Sequence, residues 1–247
     1  MYLKDDNWKA GWSLDIHTIK STPLPGGGFD NEYTEIGKLM HEIKYQNAKN
    51  KIKPLTKKIY DFMKKEMRVT SHLSGIVPTP PSNTNREFQP VFKIAEELAK
   101  ELKIPIFNDC LVKTKNTPRM IGITDKEEKK KILSGIFKVV KNDLIKNKKI
   151  LLFDDIYQTG ETLRAIARVL YKEGFVQNVY VLTVTKTRTK GVTSRENSSI
   201  RDKLRKLFQE IHKDKKLPNA QIVSEWVKRC EQGEDPKTIV NSYVLKK

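Results

Sequence analysis

A chain of 247 residues is long for one domain and short for two, which points to one main domain with appendages. Its 37% hydrophobic residues fill a sizeable core and exclude a wholly disordered protein, while 48 basic against 30 acidic side chains give a formal net charge of +18 that favours polyanionic partners. Two cysteines, Cys110 and Cys230, exclude a disulfide framework and a cysteine-rich zinc site. A reducing cytoplasm is the natural compartment for such usage. The stretch 1–6 has early acids and no apolar run of the signal-peptide kind. The longest apolar runs, such as 150–153, fall far short of a membrane span, so no membrane partner is expected.

Residues 1–34 read as irregular, with a Pro-Leu-Pro-Gly-Gly-Gly turn cluster over 23–28 and with Trp8 and Trp12 packed onto the domain. From Glu35 to about Met67 the apolar spacing suits helices. Ile36, Leu39, Met40 and Ile43 line the first, and Leu55, Ile59, Phe62 and Met63 the second. Pro54 sits near the second helix start, where its missing N–H does no harm. A short apolar run over 73–77 enters a Pro-Thr-Pro-Pro-Ser-Asn turn, and Val91, Ile94, Ala95, Leu98 and Leu102 mark the face of a further helix. Residues 104–107 and 136–140 are strand candidates. Between them, 113–131 is a long basic segment with no core face, of the kind that is functional or mobile. A buried strand over 149–153, a helix over about 161–173 stopped by Gly174, and a strand over 178–185 follow. This strand–helix–strand succession predicts an α/β domain with a mostly parallel sheet flanked by helices. After Thr185 the chain turns polar, and helices fit 200–212, 220–230 and 236–244. Residues 186–247 hold 16 Lys and Arg against 8 Asp and Glu. The expected organisation is an N-terminal segment 1–34, a core over 35–190 and a basic helical C-terminal extension over 191–247.

The informative segment is Lys149-Ile150-Leu151-Leu152-Phe153-Asp154-Asp155-Ile156-Tyr157-Gln158-Thr159-Gly160-Glu161-Thr162-Leu163. A buried strand delivers two carboxylates to its C-terminal end, where ligands sit in open α/β sheets. The turn from Gln158 through Thr159, Gly160 and Glu161 to Thr162 then opens a helix. Backbone N–H groups of such a turn and the helix N-terminus form a concavity suited to phosphate. Gly160 permits close backbone approach, and the hydroxyls of Thr159 and Thr162 are donors to phosphate oxygens. Asp154 and Asp155 repel phosphate and suit hydroxyl donors or a magnesium shell. Acids beside a phosphate cradle imply a sugar phosphate. Both acids are expected to be solvent-accessible at the strand end. The segment is not a Walker motif, since no Gly-x-x-x-x-Gly-Lys precedes a helix.

Residues 154–162 resemble the phosphoribosyl pyrophosphate signature of the type I phosphoribosyltransferases, and the resemblance, over about 35–186, points to the ComF-like branch of that family. Lys44-Tyr45 resembles that branch's Lys-Tyr. Val77-Pro78-Thr79-Pro80 followed by Arg86-Glu87-Phe88-Gln89 resembles its Val-Pro-x-Pro turn and Arg-Gly-Phe-Asn-Gln segment, and Thr117-Pro118 with 125–131 its mobile loop. The resemblance implies that Asp154 and Asp155 act catalytically by holding the ribose 2′- and 3′-hydroxyls, directly or as ligands of Mg2+. It further implies that Gln158–Thr162 cradles the 5′-phosphate, that Thr79 and Pro80 wrap the pyrophosphate with Arg86 as helper, and that the loop 113–131 closes over the site with Lys115 or Arg119 near the leaving group. The N-terminal segment would serve as a hood for the acceptor, with Trp12, Phe29 and Tyr33 as candidate stacking surfaces. The cysteine-rich zinc module of many ComF-like proteins has no counterpart here. Purine salvage members carry an Asp where Gln158 stands, and an amide cannot accept a proton at neutral pH, so hypoxanthine–guanine salvage is not expected. His17, His41, His72 and His212 look scattered and non-catalytic.

Two readings follow. One is an enzyme transferring ribose 5-phosphate from phosphoribosyl pyrophosphate, with Mg2+, to an unidentified acceptor. The other is a non-catalytic ligand-sensing module that binds nucleic acid, a nucleoprotein or a protein partner in competence, DNA handling or bacterial defence of the retron type. Assembly as a homo-oligomer is left open under both.

Overall fold

The computed structural model describes residues 1–24, 29–81, 87–114, 135–188, 204, 206–212, 220–231 and 234–242. Four strands form one parallel sheet: β1 (Ala10–Ile16), β4 (Gly75–Pro78), β7 (Lys149–Tyr157) and β8 (Asn178–Lys186), in the order β1-β8-β7-β4. A parallel sheet is stable only when both faces are covered, and its inner strands then read as unbroken apolar runs. The runs Ile150-Leu151-Leu152-Phe153 and Val179-Tyr180-Val181-Leu182 are of this kind, and all eight side chains are buried.

Alternation along β7 divides the core in two. Ile150 and Leu152 join Val179 and Val181 under helix α4 (Glu161–Lys172), which contributes Leu163, Ile166, Ala167 and Leu170. Leu151 and Phe153 join Leu182 and Val184 under α1 (Glu35–Tyr45), α2 (Ile52–Glu66) and α3 (Pro90–Leu102), through residues such as Met40, Ile43, Leu55, Ile59, Ile94 and Leu98. The result is a mixed α/β fold with helices on both faces of a parallel sheet, as the alternation of elements predicts.

Two antiparallel pairs flank this sheet. Strands β2 (Thr18–Pro23) and β3 (Phe29–Tyr33) form one, and β5 (Leu111–Lys113) and β6 (Phe137–Val139) the other. The expected strand over 104–107 shrinks to one parallel bridge between Ile106 and Ile76. The expected irregularity of 1–34 is overturned. β1 is an edge strand of the main sheet, pairing residue by residue with β8 from Ala10–Tyr180 to Ile16–Lys186. Its alternation of Gly11, Ser13 and Asp15 with Trp12, Leu14 and Ile16 is a strand pattern disguised by small and polar residues. Trp8, whose Nε1 donates to Leu3 O at 2.8 Å, is buried as expected.

The chain divides into two compact units, Met1–Arg188 and Thr189–Lys247. In the second, a helical stretch over 206–211, α5 (Ala220–Glu231) and α6 (Pro236–Ser242) gather Leu204, Phe208, Val223, Trp226, Ile239 and Val240 into their own apolar cluster. Among the described residues no helix is long and apolar enough to cross a membrane.

Candidate functional site

The helices that follow β4 and β7 pack on opposite faces of the sheet, α3 with one cluster and α4 with the other. Connections that leave two neighbouring strands in opposite directions open a crevice at the strands' carboxyl ends. Thr79 stands there, directly after β4. Its N–H and its hydroxyl both donate to Phe153 O, at 2.9 and 3.1 Å, which fixes it beside the residue that precedes Asp154. Thr79 is buried and Pro80 is half-buried. Arg86, Lys115 and Arg119 lie outside the described residues.

β7 runs past the expected end at Phe153 to Tyr157, because Asp154 pairs with Thr183 and Ile156 with Thr185 of β8. The two acids therefore belong to a paired strand, and consecutive strand side chains leave opposite faces. The expectation of two solvent-accessible carboxylates is corrected accordingly. Asp155 is 8% exposed and is bonded by the Lys44 ammonium from the last turn of α1. Asp154 keeps intermediate exposure, and its Oδ1 accepts from the Asp155 N–H at 2.9 Å. Desolvation first, and then the charge of Asp155, push the Asp154 carboxyl above its ordinary value. Burial would lower the Lys44 ammonium, but the charge and hydrogen bond of Asp155 outweigh it and the net direction is up.

Lys44 is held in place by its helix. Thr34 caps α1, accepting from the Gly37 N–H at 3.0 Å while its hydroxyl donates to Ile16 O at 2.7 Å. The backbone of His17 lies so close that a Cβ on Gly37 would fall 1.9 Å from His17 O. Met40 and Ile43 then bury the helix against the sheet and carry Lys44 to Asp155.

The turn after β7 leads directly into α4. Gly160 caps α4 with φ of +80°, no side chain caps the helix, and Gln158 and Thr159 are exposed. The first-turn N–H groups of a helix have no partner within it, so this end offers backbone donors. Glu161 does not face a ligand, because it is buried and ion-paired with Arg164. The Arg164 guanidinium also donates to Thr159 O at 2.9 Å and to Asp5 Oδ2 at 2.6 Å, so it braces the turn from behind.

Beside Asp155 runs a ladder of rings that sequence reasoning missed. His17 meets Tyr33 edge-on at 5.4 Å, Tyr33 meets His41 at 4.7 Å, and His41 meets Tyr45 at 5.0 Å. His17 Nδ1 lies 3.1 Å from the Thr185 hydroxyl, and burial lowers the imidazole below its ordinary value against the pull of Asp155. The histidines at 17 and 41 are therefore not scattered. Of the expected stacking surfaces, Tyr33 belongs to the ladder, Trp12 packs edge-on against Tyr2 at 6.0 Å, and Phe29 is exposed in β3. The only sequence sign of the ladder was the Lys44-Tyr45 pair, and nothing in the spacing of His17, Tyr33 and His41 announced it. Arg164 and Asp5 were missed because their pairing spans nearly the whole first unit.

In sequence comparison no family model matches the chain and no curated protein does. In structure, the chain is similar to an adenine phosphoribosyltransferase from Thermoanaerobacter pseudethanolicus, with a TM-score of 0.38, 14% identity, and 68% of this chain and 95% of that chain covered. It is similar to UMP synthase from Leishmania donovani, with a TM-score of 0.37 and 13% identity over 72% of this chain and 30% of that one. An adenine phosphoribosyltransferase from Saccharomyces cerevisiae, complexed with an imino-altritol bisphosphate and adenine, gives a TM-score of 0.34 and 14% identity over 67% and 83% of the two chains. These are distant likenesses that add no residue-by-residue correspondence.

Proposed function

We propose that the chain binds phosphoribosyl pyrophosphate in the crevice between β4 and β7 and transfers ribose 5-phosphate to a ring acceptor with release of pyrophosphate. One observation carries this reading: a carboxylate strand ends in an uncapped, glycine-opened helix start, with Thr79 of the neighbouring strand bonded alongside. The donors of Gln158–Thr162 take the 5′-phosphate, and the acids of β7 take the ribose hydroxyls. Thr79 and Pro80 border the leaving group, with Arg86, Lys115 and Arg119 as further candidates. Loss of pyrophosphate from C1 develops oxocarbenium character, as in glycoside cleavage. The acceptor is a planar ring stacked on the open end of the ladder at Tyr45, which is 63% exposed. The ComF-like affinity of Lys44-Tyr45 and the Val77–Pro80 turn supports the same placement, and a cytoplasmic setting suits such a substrate.

The resemblance also brings Mg2+. The residues present do not form a site for a resident ion: among the described residues no group of three or more His, Cys, Asp or Glu side chains could hold a metal. Asp155 is already engaged by Lys44. Magnesium is placed instead with the diphosphate of the ligand, since this ion prefers substrate phosphates to all-protein cages.

Thermal unfolding tests the reading. At about 100 times its dissociation constant, phosphoribosyl pyrophosphate with magnesium should stabilise the native state by about 2.7 kcal/mol. For a chain of this size that is an upward shift of roughly 5–10 °C. Pyrophosphate alone should give less, and Asp154→Asn with Thr159→Val should lose most of the shift. An unchanged shift in that double variant would sink the assignment.

A further inference from the structure

We propose that Lys44 stands at Asp155 in place of a divalent cation, so that ribose hydroxyls are recognised at this strand end without metal. The inference rests on the sugar-phosphate reading and concerns how that site is charged. Asp155 lies on the face of β7 that packs against α1, with its side chain 11% exposed, and a carboxylate at that depth needs a cation beside it. The Lys44 ammonium fills that need, with its side chain 29% exposed. Its place is fixed by the packing of α1 through Met40 and Ile43 and by the close approach of Gly37 to His17.

Two features oppose a metal at this point. Neighbouring positions of a strand turn their side chains to opposite faces, so Asp154 and Asp155 do not form a pincer. Magnesium demands near-octahedral oxygen geometry, and a carboxylate already bonded to an ammonium is a poor partner for it. The same carboxylate serves hydroxyls well. Lys44 occupies only part of the acceptor capacity of Asp155, and the remaining lone pairs accept from the sugar. The lysine therefore neutralises the carboxylate while leaving it able to accept from hydroxyls.

The experiment uses the full chain and ribose 5-phosphate, which lacks the diphosphate and so brings no strong magnesium chelator of its own. Calorimetric titration is run in EDTA and again in excess magnesium, for the wild type, Lys44→Arg and Lys44→Met. The wild type and Lys44→Arg are expected to bind with nearly the same affinity in both conditions. Lys44→Met is expected to weaken binding by about tenfold in EDTA and to regain most of it when magnesium is added. Wild-type binding that disappears in EDTA overturns the inference, because metal is then required at the site. Equal weakening of Lys44→Met in both conditions also overturns it, because the lysine then only supports the fold. If Lys44→Met does not fold, the wild type and Lys44→Arg in EDTA still decide. Absence of wild-type binding in either condition overturns the sugar-phosphate reading itself, a result separate from metal-dependent binding.

Discussion

Gly160 is the residue on which the turn proposed to hold phosphate depends. Its φ of +80° is strained for any side chain, and a Cβ there would sit 2.7 Å from the Tyr157 hydroxyl. Gly160→Ala should cost about 1–2 kcal/mol for the left-handed backbone alone, and it should weaken ribose 5-phosphate binding further by misdirecting the helix start. Chemical denaturation and titration of the same variant read both effects. Behind the turn, Asp5 has a pH signature. Burial would raise its carboxyl, but the hydrogen bonds from Asn7 and Arg164 outweigh burial and hold it below the ordinary carboxylate value. A depressed carboxyl contributes stability that is fully present above its unfolded value and is lost as pH falls through its folded value. Asp5→Asn should therefore be about 1 kcal/mol less stable than wild type at neutral pH. The two should converge only below the ordinary carboxylate range, as an acid unfolding series will show.

At the level of elements, the end of the sheet carries a polar row: Ser13 of β1, Thr183 of β8 and Asp154 of β7 stand in register. Ser13 and Thr183 are fully buried, and among the described residues the Thr183 hydroxyl has no hydrogen-bond partner. An orphan buried hydroxyl costs free energy that a methyl group of the same shape does not. Thr183→Val should therefore raise stability, by up to about 1 kcal/mol, and a lower unfolding midpoint would show that the hydroxyl has a structural role. How far the elements were legible depended on the strength of their periodicity. Helices α1 to α4 and strands β7 and β8 were readable because long apolar stripes or runs mark them. β1 was not, since one set of its alternation is built from Gly11, Ser13 and Asp15, small or polar residues that look like coil. The turn of the site was legible because five contiguous residues carry it. The Lys44–Asp155 pair and the ring ladder were not, because they join elements far apart in sequence, and local pattern holds no record of such contacts.

For the whole molecule, the division at Arg188 separates two units that each own an apolar cluster. A chain ending at Arg188 should unfold cooperatively with a midpoint within about 3 °C of the full chain, and loss of a sharp transition would show that the second unit supports the first. Residues 189–247 carry 14 basic against 8 acidic side chains, so the truncated chain should also elute from immobilised heparin at lower salt. Unchanged elution would place the polyanion-binding charge in the first unit. One consequence of the edge strand concerns synthesis. β1 is hydrogen-bonded into the sheet through β8, whose last residue, Lys186, comes some 170 positions after Ile16. At about 5–20 residues per second, a ribosome keeps the N-terminal strand waiting on the order of ten seconds. Contacts so distant in sequence close late and slowly. His17, at the exit of β1, is thus brought to Asp155 only when the sheet is complete, so a nascent chain cannot assemble this strand end until its first unit has been fully translated.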